Sequence, residues 1–161
     1  MSNNLGIKPE QIIEAKMLAE TAFSSGLLCA ESVVIALAKV QGIESDLLPK
    51  AATAFCSGMS RTCGTCGALT GAMMGISLGL GRLDRYDSVE NCYAATQELI
   101  NRFELQFGSR DCQVLLGCDI STSAGKLQFI EHKLALRCTE FTGKAAEIAT
   151  EILFKNNTEI K

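Results

Sequence analysis

Tryptophan is absent from this 161-residue chain, histidine occurs once, and proline only twice. Aromatic residues reach just 6%. A surface that stacks nucleobases needs aromatic rings above a basic groove. Lys plus Arg number 15 against 18 Asp plus Glu, for a net charge of -3 and no local basic cluster. No nucleic-acid partner is expected. The lone histidine, His132, sits between Glu131 and Lys133 with no recognisable partner to orient it, so a His-based triad has nothing to build on. It reads as an exposed helix residue.

Other absences narrow the field further. The longest apolar stretch, Gly67 to Gly81, is rich in glycine and falls short of the roughly 20 residues a membrane span needs. Residues Met1 to Glu10 are polar, without the apolar centre of a secretory signal. A cytoplasmic address without direct membrane insertion is the simplest expectation. No Cys-x-x-Cys-His is present, which excludes covalent c-type haem. No paired Cys-x-x-Cys zinc signature occurs, and no Gly-Lys-Ser/Thr follows the glycines to make a phosphate loop. No segment alternates with a period of two, so little or no sheet is expected. Without repeats, low-complexity blocks or a long linker, residues 1–161 read as one domain.

What is present is a globular composition, 47% hydrophobic and 20% charged. The pattern predicts an all-α, compact helical bundle of about six to seven helices. Pro9 suits the first turn of a helix to about Phe23, with Gly26 beyond its end. A second helix runs from Cys29 to Gln41, with the stripe Cys29, Val33, Ala36, Leu37 and Val40, and stops at Gly42. Pro49 opens a third, Lys50 to about Phe55, and Cys56 to Thr65 reads as a loop. Asp87 or Ser88 caps a long helix to Phe107, ended by Gly108. Ser109 caps a short one, Arg110 to Leu116, ended by Gly117. Ser121 to Leu136 holds another, and Thr139 caps the last.

Gly67, Gly71, Gly75 and Gly79 recur every fourth residue. Each costs a helix roughly 1 kcal/mol relative to alanine. The spacing lines all four on one face, where a second helix can approach closely and compensate.

Eight cysteines remain, and a Cys-rich chain in a reducing compartment points to redox or metal chemistry before structural disulfides. Four share a setting. Cys29, Cys66, Cys112 and Cys138 each fall at a predicted helix start, where partial positive charge and free N–H groups favour a thiolate or a thiolate-bound cluster. Cys92 reads as a small core residue, Cys56 ends a predicted helix and reads as either core or functional, and Cys118 follows Gly117 in a turn. Cys63 and Cys66 form a Cys-Gly-Thr-Cys pair, a candidate redox dithiol that lacks the βαβ context of thioredoxins. Arg61 and Arg82 flank the glycine-striped helix; each reads as solvated or paired with a carboxylate before it reads as serving a cluster or an anionic ligand.

The segment Cys66-Gly67-Ala68-Leu69-Thr70-Gly71 resembles the Cys-Gly-Ala-x-x-Gly signature of the C_GCAxxG_C_C proteins, a family proposed to be redox-active. Cys29-Ala30-Glu31-Ser32-Val33, Asp111-Cys112 through Leu116-Gly117-Cys118-Asp119, and Arg137-Cys138 with Ala145-Ala146-Glu147-Ile148 resemble its other cysteine segments, in order, over about residues 15–153. The resemblance implies that Cys29, Cys66, Cys112 and Cys138 are the characteristic set, with Cys56, Cys63, Cys92 and Cys118 as additions. It extends to the N-terminal part of split-Soret cytochromes, which implies an iron–sulfur centre, an unidentified redox partner protein and a setting near transport systems. The first expectation is an electron-transfer protein holding an iron–sulfur cluster on these four thiolates. The alternatives are thiol–disulfide chemistry starting at Cys63 and Cys66, and a structural zinc site on the same four sulfurs.

Overall fold

A computed structural model describes residues 8–159, and among them the secondary structure is helical throughout, with a single isolated bridge between Thr65 and Asp111. The elements are α1 (Pro9–Ser24), α2 (Cys29–Val40), α3 (Leu47–Ala52), α4 (Cys56–Arg61), α5 (Gly67–Leu80), α6 (Glu90–Phe107), α7 (Cys112–Leu116), α8 (Ser123–Glu131) and α9 (Ala135–Glu159). A 3-10 turn, Thr53–Phe55, joins α3 to α4. None of the described helices is long and apolar enough to cross a membrane.

The core sits between α1, α2, α5 and α9. Ala15 and Ala19 make the buried stripe of α1, small enough to let α9 lie close along it. α2 is buried around most of its circumference, including Ala30, Val33, Val34 and Leu37. Its start is held by Glu31, whose carboxylate accepts the Leu28 N–H at 2.8 Å and the Thr53 hydroxyl at 2.8 Å. This buried carboxylate both caps the helix and ties it to the 3-10 turn.

The glycine stripe of α5 packs on α2 as its spacing predicts. A Cβ at Gly71 would stand 2.5 Å from the Ala30 carbonyl oxygen; one at Gly75 would meet the Leu37 side chain, and one at Gly79 the Gln41 amide. Gln41 also donates to the Gly75 carbonyl at 3.0 Å, a backbone acceptor reachable only because the stripe has no side chains. α6 closes the outer side with Leu99 and Phe103, and Phe103, Phe107 and Phe141 form an aromatic cluster.

Three local expectations need correction. The loop expected from Cys56 contains a left-handed turn: Ser57, Gly58, Met59 and Ser60 all have φ between 50° and 60°. Non-glycine residues in this region cost roughly 1–2 kcal/mol each. Ser60 donates to the Ala54 carbonyl at 2.8 Å and Gly64 N–H to the Gly58 carbonyl at 3.1 Å, which hold the turn. The third helix begins at Leu47, so Pro49 lies inside its first turn. The last helix begins at Ala135, four residues ahead of Thr139, after a break at Lys133, where φ is +52°. The expected helix over residues 121–136 is therefore split between α8 and the start of α9.

Candidate functional site

Cys29 opens α2, Cys66 is the N-cap of α5, Cys112 opens α7, and Cys138 lies in the first turn of α9. All four line one cavity of about 390 Å³. Four separate helices thus deliver one sulfur each to a shared space.

Local backbone geometry explains how two of them meet. The Thr65–Asp111 bridge is flanked by Cys66 N–H to the Arg110 carbonyl at 2.8 Å and Cys112 N–H to the Gly64 carbonyl at 2.9 Å. Both cysteines are thereby fastened by their own amides. Gly58 completes the fit: a Cβ there would lie 2.5 Å from Cys112 Cβ, and its φ of +59° also disfavours a side chain. The residue before Gly58, Ser57, donates its N–H to Cys29 Sγ at 3.4 Å.

The rest of the lining is mostly apolar, with Phe23, Leu28, Leu116, Ile120, Phe129 and Phe141 prominent. Among the described residues Arg61 and Lys126 are its cationic members, and none of the lining is a carboxylate or an imidazole. Arg61 thus takes the place open to it; Arg82 instead bonds the Arg85 carbonyl on the surface. His132 is exposed at the end of α8, as expected.

Electrostatics overturns one expectation. Helix starts were expected to lower the thiol pKa. Burial instead pushes Cys66 up to about 12, with the neighbouring Cys112 and Cys138 adding to the rise and the Ala68 N–H opposing it. Burial raises Cys112 to about 11, helped by Cys118 and Cys63. Burial also raises Cys138 to about 12, with Cys112 adding and the Arg137 guanidinium opposing. Removing water from the charged form outweighs the partial charge of a helix end, and α7, at five residues, has little such charge to offer. At neutral pH these are thiols, and any cation they hold must displace their protons.

The Cys63–Cys66 pair is divided. Cys63 donates to Asp119 Oδ1 at 3.2 Å and does not line the cavity. That hydrogen bond, then burial and the Asp119 charge, raises the Cys63 pKa. Cys66 instead has Cys112 and Cys138 as its charge neighbours. Cys92 is half-buried near Ser77, and Cys118 is buried in the core. Cys56 is fully buried and donates to the Ala52 carbonyl at 3.6 Å; the neighbouring Cys29 thiol and then burial raise its pKa. The sequence pattern did not disclose that proximity to Cys29, nor the roles of Ser57 and Gly58; the Ser-Gly step inside an expected loop was the only trace.

Among the described lining residues the His, Cys, Asp and Glu type donors are all sulfurs, the soft ligands that an iron–sulfur group takes. Among the described residues no three His, Cys, Asp or Glu side chains stand close enough together to hold a metal ion, so these sulfurs form no ready metal site, for zinc or for a cluster.

Neither a curated protein nor a solved structure matches the chain. Residues 27–152 match the family described as "Putative redox-active protein (C_GCAxxG_C_C)". That span contains every cysteine on the cavity and the glycine stripe that seats α5 against α2, and it covers most of the sequence: the chain belongs to the C_GCAxxG_C_C redox family.

Proposed function

We propose that this protein transfers electrons through an iron–sulfur cluster held by Cys29, Cys66, Cys112 and Cys138. The observation that carries the reading is the meeting of these four thiols, one from each of four helices, on a single cavity whose lining, among the described residues, has no other His, Cys, Asp or Glu side chain. When bound, such a cluster supplies a one-electron couple. The chain's residues set its surroundings. Phe23, Phe129 and Phe141 keep water from the sulfurs. Arg61 and Lys126 offset negative charge, and Arg137 does so beside Cys138. The N–H of Ser57 donates to the Cys29 sulfur, and the backbone N–H of Ala68 favours the charged form of Cys66. Hydrogen bonds to ligand sulfurs and nearby positive charge both raise a reduction potential. In this reading the protein is a single cytoplasmic unit working with a redox partner protein, in the setting of a transport system, without nucleic acid.

The test is anaerobic purification followed by a visible spectrum with iron and acid-labile sulfide analysis. The expected protein is brown. Serine at position 29, 66, 112 or 138 should lower iron content, because serine is a poor ligand for a soft site. Serine at 63 or 92 should leave it unchanged. A colourless protein with one zinc per chain would replace the cluster by a structural ion. A metal-free protein whose disulfide reductase activity needs Cys63 and Cys66 alone would replace it by a dithiol.

A further inference from the structure

Cys29 has a neighbour that the cluster reading leaves unused. Cys56 is fully buried in a small packing cluster with Ala30, Val34 and Ala52, and Cys29 rests against that same cluster. The residue after Cys56, Ser57, donates its N–H to the Cys29 sulfur at 3.4 Å. The space that a Gly67 side chain would need is taken by that sulfur, and Cys56 Cα lies 3.0 Å from the same point. These observations place the Cys29 sulfur beside the Cys56–Ser57 backbone, while the Cys56 thiol donates to the Ala52 carbonyl at 3.6 Å. Both residues are free thiols. Only Cys29 reaches the cavity.

We propose that Cys29 and Cys56 form a second functional unit, a redox-active dithiol whose oxidation to a disulfide withdraws the Cys29 sulfur from the cavity. The oxidant is a low-molecular-weight disulfide, RSSR. Cys29, open to the cavity, attacks one sulfur of RSSR; the S–S bond breaks, and one RSH leaves with the Cys29 proton. Cys56 then attacks the Cys29 sulfur of the mixed disulfide. The Cys29–Cys56 bond forms, and the second RSH leaves with the Cys56 proton. Two electrons and two protons pass from the protein to RSSR, giving two RSH. The order is set by access, since buried Cys56 meets no external oxidant directly. The dithiol stands without the cluster, but its consequence rests on the cluster reading: oxidation removes one of four ligands and blocks loading.

The experiment treats the full, reduced, metal-free chain with glutathione disulfide, then quenches with acid, alkylates and maps the peptides. The expected product is a peptide linking Cys29 to Cys56, while Cys56→Ser stops at one glutathione adduct on Cys29. The wild-type map needs no variant, so a poorly folding substitution cannot obscure it. A persistent adduct on wild-type Cys29, a link from Cys29 to another cysteine, or Cys29 and Cys56 both still alkylated would overturn the proposal. In a second arm, oxidised and reduced wild-type protein are offered iron and sulfide. Loss of uptake on oxidation, restored by dithiothreitol, supports the withdrawal step; equal uptake overturns it. Failure of the reduced protein to take up iron sinks the cluster reading, and the peptide map then decides the dithiol alone.

Discussion

Replacing Gly71 by alanine tests whether the glycine stripe seats the site. In an exposed helix the change would stabilise the protein by about 1 kcal/mol, because alanine is the better helix former. Here the added Cβ would lie 2.5 Å from the Ala30 carbonyl oxygen and 2.7 Å from its Cα, whereas ordinary contact begins at 3.4 Å. Those are backbone atoms, so no rotamer change relieves the clash. α2 and α5 must part by about 1 Å at this point, in the range where overpacking costs about 1–3 kcal/mol. Taking the upper part of that range less the propensity gain leaves a net loss of about 1–2 kcal/mol. For a chain of this size that lowers the melting temperature by about 2–8 °C. Ala30 follows Cys29, so the same displacement moves a cavity sulfur and should reduce iron uptake. Circular dichroism melts of reduced, metal-free protein read the first effect and iron analysis the second. A melting temperature equal to or above wild type would refute the close packing. Gly75→Ala is the matched comparison: its clash is with the Leu37 side chain, which can adjust, so its loss should be smaller.

The remaining predictions concern protons. Cys66, Cys112 and Cys138 have folded pKa values of about 12, 11 and 12 against an ordinary 9.0. Below pH 9 both states keep these protons, and the thiols' contribution is fully present. Above it the unfolded chain loses them first, so stability falls with rising pH, by up to about 1.4 kcal/mol per pH unit for each thiol. Urea unfolding of metal-free protein between pH 7 and 10.5 should show this fall, and Cys66→Ala should reduce its slope; a flat profile would contradict the burial argument. Asp119→Ala removes both the acceptor and the charge that raise the Cys63 pKa. Iodoacetamide should then alkylate Cys63 faster at pH 8, as read by peptide mass spectrometry.

Much of this architecture was legible from residue spacing. The i+4 glycines told which face of α5 meets a neighbour, because a repeated helix-breaking residue needs tertiary contact to be tolerated. Gly108 and Gly117 marked real helix ends, both in the left-handed conformation. The left-handed run at Ser57, Met59 and Ser60 was not legible, since each residue sits against its own local preference and the hydrogen bond from Ser60 to the Ala54 carbonyl that helps hold it has no pattern in the sequence. The start of α9 was missed because Lys133, with neither glycine nor proline beside it, turns the chain there. The raised thiol pKa values were missed for a related reason. A helix start can be read from a cap, but how far water is shut out depends on Phe23, Phe129 and Phe141, which lie far from Cys66 in sequence.

The cavity also constrains the order in which the protein can be completed during synthesis. Its walls draw on α1 through Phe23 and on α9 through Cys138 and Phe141, so they come from opposite ends of the described chain. No two of its four sulfurs share a helix, and α7, with five residues, is too short to persist before its neighbours dock. α9 leaves the ribosome after every other wall has been made, and until it settles along α1 the cavity has no closed form. Cys29, Cys66 and Cys112 are then present on the nascent chain without the fourth sulfur. The complete cavity exists only once α9 has been made, and a chain stalled before Cys138 carries three thiols without the fourth.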